Sequence, residues 1–335
     1  MDARAEPLLF ALPESQALAA AIGAIVRLPL APLEERSFEA GEFKLRPLVS
    51  VRDREVYVVQ SLAGTPAAPV APRLLRLLFL LLGLRDAGAR RLTLLVPYLA
   101  FARKDRRTQP RDPVSSRYVA ELLECTGLAR LVALDVHNPA AFDNAFRIPT
   151  DHLSALPLFA AQVAERRAAA PLAVASPDVG GVKRAQLFRE LLGARLGREV
   201  DLAFIEKRRA LGAVSGGQVV GEVRGREVIV LDDLCATGGT LIRAANALRA
   251  AGAAAIHVAF THAPLAEGLA ALAAAPGIDT LLLTDSVGAV EAPPAASART
   301  TVLPVAPLLA EALARMRDGR PLAPLLRRWP PEADG

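Results

Sequence analysis

Two stretches of the chain repeat the same order of apolar and polar positions. A β-rich apolar run at residues 53–59 is followed by a leucine-rich helical pattern, a Gly-Ala turn at Gly88 and a second apolar run. Residues 225–231 begin the same series, which turns at Gly252. Short apolar runs that alternate with helical segments predict parallel strands joined by right-handed crossovers. The pattern therefore predicts an α/β protein with two similar doubly wound parallel-sheet domains related by internal duplication.

The length of the chain agrees with two domains, because 335 residues exceed the usual size of a single hydrophobic core. Further strands are predicted at residues 130–135, 172–176 and 279–284. We expect an N-terminal α/β domain at residues 1–152 and a C-terminal α/β domain at residues 153–304. Residues 305–335 are expected to form a C-terminal helix and tail.

Composition narrows the class of protein. Hydrophobic residues make up 52% and charged residues 22% of the chain, which is the balance of a globular protein. The longest apolar run, residues 74–84, contains Arg76 and is too short and too charged to cross a bilayer. We therefore expect no membrane segment, and the first residues do not resemble a secretory signal. The two cysteines, Cys125 and Cys235, cannot form a disulfide framework, which favours a cytoplasmic location.

The charge of the chain favours small anionic ligands over nucleic acid. The formal charge is +5, but aromatic residues are only 4% of the chain and the arginines are scattered rather than arranged in a stripe. Few side chains are therefore available to stack on bases. Lysine is rare beside arginine, so each lysine marks a position where a compact ammonium group could matter.

The strongest candidate for a ligand site lies at residues 228–240. An apolar run ends at the acid pair Asp232 and Asp233, where an open parallel sheet would bind its ligand. The loop that follows consists of Leu234, Cys235, Ala236, Thr237, Gly238, Gly239 and Thr240. Glycines let backbone N–H groups approach a phosphate, the start of a helix adds a favourable dipole, and threonines offer hydroxyl donors. The acid pair can accept hydrogen bonds from ribose hydroxyls, although a tight turn with a threonine cap is the structural alternative.

This segment resembles the phosphoribosyl pyrophosphate loop shared by type I phosphoribosyltransferases and ribose-phosphate pyrophosphokinases. Other segments are similar to successive signatures of the pyrophosphokinases. They are residues 97–107, 135–137, 176–185, 206–209 and 305–310. The resemblance extends from about Phe38 to Leu326. It implies two phosphoribosyltransferase-like domains and an enzyme that transfers the β,γ-pyrophosphoryl group of ATP to the C1 hydroxyl of ribose 5-phosphate, giving phosphoribosyl pyrophosphate and AMP.

The resemblance also implies where ATP binds. Phe38 and Glu42 match a loop that contacts adenine, often across a subunit boundary. Arg103, Lys104 and Asp105 fall where the family also binds the nucleotide, and cations near a triphosphate are physically expected. Without the resemblance, this basic segment would be interpreted as a solvated loop.

A magnesium site is implied by two further matches. His137 matches a family histidine near Mg²⁺ and the transferred phosphates, with a catalytic role, and Asp178 matches an acid of the metal site. Mg²⁺ prefers oxygen ligands, most of which ATP can supply. Taken alone, His137 could equally be a structural hydrogen-bonding residue, and Asp178 could shape a turn.

Lys207 and Arg209 match a mobile catalytic loop that closes over the reacting phosphates. Cations that approach the nonbridging oxygens after water is expelled stabilise the charge that spreads there during transfer. The glycines between residues 212 and 221 predict a flexible stretch. An exposed basic turn is the alternative for this segment.

Two departures from the family pattern leave other functions open. The family commonly has an acid at the position of Ala236 and Asp or Asn at that of Ala40, so a catalytically weakened, pyrophosphokinase-like regulatory subunit is one alternative. A type I phosphoribosyltransferase is another, but it needs only one domain and does not explain the duplicated half. The family further implies a homo-oligomer, either a dimer or a hexamer.

Overall fold

The computed structural model describes residues 6–65, 68–210, 213–290, 294–327 and 329–330 of the chain. Its strands are β1 (Leu8–Ala11), β2 (Leu33–Ser37), β3 (Phe43–Pro47), β4 (Glu55–Val59), β5 (Arg91–Val96), β6 (Arg130–Leu134), β7 (Thr150–Leu153), β8 (Leu172–Ser176), β9 (Asp201–Ala210), β10 (Ala213–Val220), β11 (Glu227–Leu234), β12 (Ala255–His262), β13 (Thr280–Thr284) and β14 (Thr300–Leu303).

The α-helices are α1 (Gln16–Val26), α2 (Val70–Asp86), α3 (Ser115–Glu124), α4 (Pro139–Ala145), α5 (Leu156–Arg167), α6 (Val182–Leu196), α7 (Gly239–Ala250), α8 (Ala266–Ala274) and α9 (Ala306–Asp318). Within the described ranges, no helix is both long enough and apolar enough to cross a bilayer.

The chain divides into two compact units. The first extends to Leu153 and also includes Ser286–Gly288 and Val305–Arg320. The second comprises Ser154–Asp285, Ala289–Pro304 and the chain from Pro321 onward. Helix α9 therefore belongs to the first unit, where it packs against α1.

The first unit is built on a parallel sheet with the strand order β1-β4-β5-β6-β7. Strands β4 and β5 are buried along nearly their whole length, as expected for apolar runs in a parallel sheet. Helix α2 covers part of the core with leucines spaced three or four residues apart. These leucines are Leu74, Leu77, Leu81 and Leu84. The opposite side of α2 leaves Leu75 and Phe79 about half exposed.

The second unit is built on a larger sheet with the order β10-β9-β8-β11-β12-β13-β14. Only the pair of β9 and β10 is antiparallel among the pairings of its named strands. Val228, Ile229 and Val230 of β11 are fully buried, which explains why the apolar run there shows no alternation. The predicted α/β class with doubly wound parallel sheets is confirmed.

The two sheets share one strand order. When β8 is aligned with β1, the series β8-β11-β12-β13-β14 follows the same connections as β1-β4-β5-β6-β7. In both units an antiparallel hairpin is inserted after the first helix of the series, β2–β3 in the first unit and β9–β10 in the second. The structure therefore repeats the duplication visible in the sequence.

The repeat extends to the backbone of the turn that follows the central helix. Gly88 has φ +89° and Gly252 has φ +94°, the left-handed region that glycine enters without strain. The N–H of Gly88 donates to the carbonyl of Arg85 at 2.9 Å, and that of Gly252 donates to the carbonyl of Arg249 at 2.9 Å. The next residue in each turn, Ala89 or Ala253, closes the helix with a bond of 3.1 Å.

Candidate active site

The acid pair and the glycine-rich loop lie at the carboxyl end of β11. Gly238 has φ +77° and immediately precedes α7, so a residue with a side chain would be strained there. The loop packs closely against α8, because a Cβ added to Gly268 would lie 2.2 Å from the carbonyl oxygen of Ala236. The backbone of α8 thus sets the position of the loop, and only glycine at position 268 permits this approach.

The loop side chains differ in their access to a ligand. Thr237 is exposed, and the hydroxyl of Thr240 accepts a 3.3 Å hydrogen bond from Arg243. Cys235 is buried, and its N–H donates to the carbonyl of His262 at 2.9 Å. Burial and the nearby charge of Asp232 raise the pKa of the Cys235 thiol to about 12. The thiol is therefore protonated at neutral pH, so no thiolate is available there to bind or attack a ligand.

The two acids of the pair are not equivalent. Asp233 is buried, and its Oδ1 accepts a hydrogen bond from Nη1 of Arg184 at 2.8 Å. Asp232 Oδ1 lies 3.6 Å from the same nitrogen, and the Asp232 side chain keeps 23% of its surface exposed. Because the Asp233 side chain is buried and hydrogen-bonded to Arg184, Asp232 is the carboxylate more accessible to a sugar.

The environment of Asp232 favours its protonated form. Burial and the adjacent charge of Asp233 raise the pKa of Asp232 to about 8, against a smaller opposite effect from Arg184. The pair therefore shares a proton more readily than two separate carboxylates would. A ligand that donates hydrogen bonds to both oxygens would favour the fully ionised pair.

The basic segment of the first unit lies in the loop between β5 and α3. Nζ of Lys104 is 2.6 Å from Oδ2 of Asp112. Asp112 also accepts bonds from the backbone N–H groups of Thr108 at 2.9 Å and Gln109 at 3.1 Å. These contacts, led by Lys104, lower the pKa of Asp112 well below its usual range. The loop is thus closed around one carboxylate, while Arg103 is exposed.

The same loop is bonded to the segment that contains His137. Asn138 Nδ2 donates to Oδ2 of Asp105 at 2.6 Å, and Asn138 Oδ1 caps α4 by accepting from the N–H of Ala141 at 3.3 Å. The preceding residue, His137, is exposed. The structure therefore brings Asp105 and His137 into one neighbourhood through Asn138.

Phe38 and Glu42 face each other at the tip of the β2–β3 hairpin. The N–H of Phe38 donates to the carbonyl of Glu42 at 2.7 Å, and both side chains are exposed. Ala40 between them has φ +65°, a conformation that Asn and Asp tolerate better than alanine. The guanidinium carbon of Arg36 lies 5.1 Å from the centre of the Phe38 ring. The tip thus presents an aromatic ring and an acid to solvent.

The β2–β3 hairpin is attached to the first unit by side chains. Arg76 of α2 places one nitrogen 2.5 Å from Glu14 and another 2.5 Å from Glu35 of β2. The ring of Phe43 on β3 packs against that of Phe79 on α2 in a tilted arrangement, with ring centres 5.2 Å apart. Arg76 therefore joins the hairpin to the body of the unit.

Lys207 and Arg209 lie on β9, within the second hairpin. Their backbones pair with Gly217 and Val214 of β10, and a β-bulge separates these two pairings. A Cβ at Gly217 would lie 2.1 Å from the Ile205 side chain, so this glycine allows close packing. The two residues after Ala210 lie outside the described residues. The segment predicted as a loop is thus, in its described part, an antiparallel hairpin that continues the sheet.

Asp178 shapes a turn at the end of β8. Its Oδ1 accepts bonds from the N–H groups of Gly180 at 3.0 Å and Gly181 at 3.3 Å. In the described part of the chain, no three His, Cys, Asp or Glu side chains form a group that could hold a metal ion.

Comparison with known proteins identifies the family. A model for the N-terminal domain of ribose phosphate pyrophosphokinase matches residues 8–127, and a phosphoribosyl transferase domain model matches residues 158–295. A ribose-phosphate pyrophosphokinase of Granulibacter bethesdensis is 40% identical over 302 residues, which cover 90% of this chain and 94% of the relative. A second relative, from Hyphomonas neptunium, is 35% identical over 312 residues, covering 93% of this chain and 96% of the relative. The chain belongs to the ribose-phosphate pyrophosphokinase family.

A solved structure supports the same conclusion for the fold. The phosphoribosylpyrophosphate synthetase from Mycobacterium smegmatis matches with a TM-score of 0.82 and 31% identity, covering 94% of this chain and 100% of that chain. The resemblance inferred from sequence motifs is therefore confirmed. The match to a pyrophosphokinase N-terminal domain also argues against a single-domain phosphoribosyltransferase.

The sequence motifs do not reveal the contacts of several residues of this pyrophosphokinase-family site. Arg184 lies within the signature of residues 176–185, but it contacts the acid pair only because β8, which precedes α6, is the sheet neighbour of β11. Gly268 is 28 residues beyond Thr240, and nothing in its local sequence indicates contact with the loop. Asn138 could have been found, because an Asn before a proline is a common helix start.

Proposed function

We propose that this chain is a ribose-phosphate pyrophosphokinase that transfers the β,γ-pyrophosphoryl group of Mg-ATP to the C1 hydroxyl of ribose 5-phosphate. The products are phosphoribosyl pyrophosphate and AMP. The observation that carries the proposal is the acid pair and glycine-rich loop at the end of β11, in a chain that relatives named ribose-phosphate pyrophosphokinase match over most of its length.

The loop would bind the 5-phosphate of the sugar. Backbone N–H groups from Ala236 to Gly239 and the hydroxyls of Thr237 and Thr240 are the donors available there. Asp232 would accept from the ribose hydroxyls, with Asp233 behind it. The sugar is then oriented by groups that need not move during the reaction, which favours attack by its C1 hydroxyl.

The nucleotide would be bound by residues of the first unit. Phe38 would stack on adenine, and Glu42 at the same hairpin tip would accept a hydrogen bond from it. Arg103 and Lys104 would neutralise phosphate charge, with Asp105 and Asn138 fixing the loop. For Lys104 to reach a phosphate, its 2.6 Å ion pair with Asp112 has to open, and the phosphate would replace that carboxylate as the partner of the ammonium group.

The reaction is an in-line displacement at the β-phosphorus, and it depends on positioning and charge neutralisation. Mg²⁺, bound mainly by ATP oxygens with His137 and Asp178 as the protein's contribution, would supply charge stabilisation when present. Lys207 and Arg209 would stabilise the negative charge that spreads over the transferred group. AMP then leaves from the nucleotide side.

We also propose that the protein forms a homo-oligomer, a dimer or hexamer. The half-exposed Leu75 and Phe79 on α2 support an interface on that helix. Sedimentation velocity distinguishes these states from a monomer.

A direct assay tests the catalytic proposal. The purified protein is incubated with Mg²⁺, ATP and ribose 5-phosphate, and AMP and phosphoribosyl pyrophosphate are measured together. We expect equal amounts of both products, and none when excess chelator removes the divalent cation. Binding of both substrates without product would instead favour the regulatory-subunit alternative, for which Ala236 in place of the family acid is the supporting observation.

A further inference from the structure

A cavity of about 60 Å³ in the second unit lies between α5 and the sheet. Its wall is formed by the carboxyl-terminal half of α5, by β12, β13 and β14, and by the segment just before β14. Three arginines line it, Arg166 and Arg167 from α5 and Arg299 from the segment before β14. The strands of the sheet therefore form the floor of the cavity, and positively charged side chains line its rim.

The floor of the cavity is unusually polar for the face of a parallel sheet. Ile229, His257 and Thr280 are paired in register across β11, β12 and β13, so their side chains point to the same face. Leu282 and Thr301 form the next row of pairs on β13 and β14. The alternate residues on these strands belong to the apolar core cluster on the other face. Sheets that are covered on both faces normally carry apolar side chains on both, so polar side chains at these positions are unusual.

The polar groups of the floor are satisfied among themselves and are electrically neutral as a set. Nε2 of His257 lies 3.1 Å from Glu227, and Nδ1 lies 2.8 Å from the hydroxyl of Thr280. Glu227 is paired with Arg167 at 2.6 Å. A carboxylate can only accept, so Nε2 donates to it and Nδ1 accepts from Thr280. Burial, with the charge of Arg167, lowers the pKa of His257, which keeps the ring neutral.

Two positive charges remain at the rim. Nη1 of Arg166 donates to the hydroxyl of Thr301 at 3.3 Å, and Nη1 of Arg299 donates to the carbonyl of Ile278 at 2.6 Å. Within the described residues, neither guanidinium lies within ion-pair distance of a carboxylate. Each guanidinium has five N–H donors, so both retain donors for a ligand. The cavity thus has an excess of two positive charges beside hydroxyl groups.

This cavity is separate from the proposed substrate site. Ile229 precedes Asp232 by three residues on β11, which corresponds to roughly 10 Å along a strand. The polar row lies toward the amino ends of the strands, whereas open parallel sheets bind their substrates at the carboxyl ends. A ligand in the cavity would therefore leave the acid pair and the loop accessible.

We propose that this cavity binds a tetrahedral oxyanion with close to two negative charges, held between Arg166 and Arg299. At about 60 Å³ the cavity exceeds the roughly 10–15 Å³ that one ordered water requires, so it has room for a small ion. Planar guanidinium groups suit such an oxyanion, because they donate two parallel hydrogen bonds to neighbouring oxygens. The same chemistry is offered by free phosphate or by the phosphoryl group of a larger molecule.

The test compares phosphate-dependent stabilisation of the full-length enzyme with that of two variants. Thermal unfolding is followed over a series of inorganic phosphate concentrations, with potassium chloride keeping ionic strength constant. The cavity variant is Arg166→Ala/Arg299→Gln, and the matched control is Arg189→Ala/Arg195→Ala, which removes two arginines from α6 of the same unit. Phosphate that binds at the loop of β11 contributes equally to all three proteins, so the difference isolates the cavity.

We expect the concentration of phosphate that half-saturates the cavity component to rise at least about tenfold in the cavity variant and to stay unchanged in the control. Equal phosphate-dependent stabilisation of wild type and cavity variant would overturn the proposal. If the double variant does not fold, Arg166→Gln alone, at an exposed position, gives the same comparison. Values of kcat and KM for ATP and ribose 5-phosphate should stay within about twofold in each variant, which separates this proposal from the catalytic one.

Other anions identify the source of the oxyanion. Sulfate should reproduce the phosphate effect, and acetate, which is planar and singly charged, should not. Glycerol 3-phosphate that stabilises as well as phosphate would assign the cavity to the phosphoryl group of a larger ligand. A failure of sulfate together with success of acetate would contradict a tetrahedral oxyanion.

Discussion

The β2–β3 and β9–β10 hairpins are inserted at equivalent places in the two units but are held in different ways. The first forms its own two-stranded sheet, fastened to α2 by Arg76 and the Phe43–Phe79 contact. The second continues the main sheet, because β9 pairs with β8. The first presents an aromatic ring and an acid at its tip, and the second carries Lys207 and Arg209. The two units therefore share one scaffold, but the hairpins inserted into it carry different functional side chains.

The two units also differ at the ends of their central strands, β4 and β11. In the first unit β4 is followed by Gln60 and Ser61, both buried. The N–H of Ser61 donates to Ser15 at 2.9 Å, and the Ser61 hydroxyl donates to the carbonyl of Ser286 at 2.8 Å. In the second unit β11 ends at an acid pair of which Asp232 stays partly exposed. One strand end is sealed by internal hydrogen bonds and the other is left open to a ligand.

The largest effect is expected at Lys207. Lys207→Ala should lower kcat by about a hundredfold or more while both KM values stay within a few-fold, since its ammonium would act mainly in the transition state. Lys207→Arg should rescue activity only in part, because a guanidinium is longer and flatter. Lys44, on the other hairpin, is the matched control, and its exposed ion pair with Glu34 at 3.2 Å predicts little change for Lys44→Ala. Steady-state kinetics that show near-normal turnover for Lys207→Ala would refute the assignment.

The next effect concerns the two strand ends. Changing Asp232 and Asp233 together to Asn should weaken ribose 5-phosphate binding by about tenfold or more and leave ATP affinity within about twofold, because charged hydrogen bonds to the sugar are lost. Ser61→Ala, at the sealed strand end, should cost about 1 kcal/mol of stability and leave both affinities unchanged. Calorimetric titration measures the affinities. Equal losses of affinity for ribose 5-phosphate and ATP would mean that the sugar does not bind at the acid pair.

A smaller effect tests whether the repeated turns are equivalent in energy. Gly88→Ala and Gly252→Ala should each destabilise the protein by about 1–2 kcal/mol, since both glycines have left-handed φ values. Gly83→Ala is the control, because it lies within α2 with nothing within 4 Å of an added Cβ, and it should be neutral or stabilising. Denaturant unfolding gives the three values. A clear difference between the two turn variants would argue against equivalence.

The smallest effect is a pH dependence at Asp232. A carboxyl whose pKa is raised in the folded state from 3.8 to about 8 loses its contribution to stability as pH rises through this interval. Asp232→Asn removes that loss, so the stability of this variant relative to wild type should increase from pH 5 to pH 8.5. Thermal unfolding without substrates measures the difference, with Asp86→Asn as the exposed control. A relative stability that is flat or falls with pH would show that Asp232 ionises normally.

The sequence predicted the fold well where a pattern was local. Apolar runs located β11 and β12, and the repeated Gly-Ala turns indicated the duplication, because each depends on the neighbours of a residue along the chain. The apolar run that precedes it placed the loop of residues 235–240 at a strand end, where the structure also has it. The roles assigned to Lys207 and His137 stay predictions.

The sequence interpretation was weaker where distant segments meet. It treated Asp232 and Asp233 alike, but Arg184 lies 2.8 Å from the second and 3.6 Å from the first. It assigned Lys104 to nucleotide binding, whereas Asp112, eight residues later, is the partner of its ammonium group in the structure. The glycine at position 217 suggested flexibility, but it is required for contact with Ile205. In each case the deciding neighbour lies on another element or across a turn whose geometry the sequence does not specify.

By itself the sequence determined the class of fold, the family and the residue types available for phosphate and sugar binding, because these follow from periodicity and motif order. Only the tertiary structure decided which acid is partly exposed, which glycine of α8 packs against the loop that follows β11, and which arginines of α5 line the same cavity as Arg299. These properties depend on strand order, and strand order brings together residues that no local pattern relates. The chemical behaviour of a charged side chain depends on the groups beside it, and packing determines which groups those are.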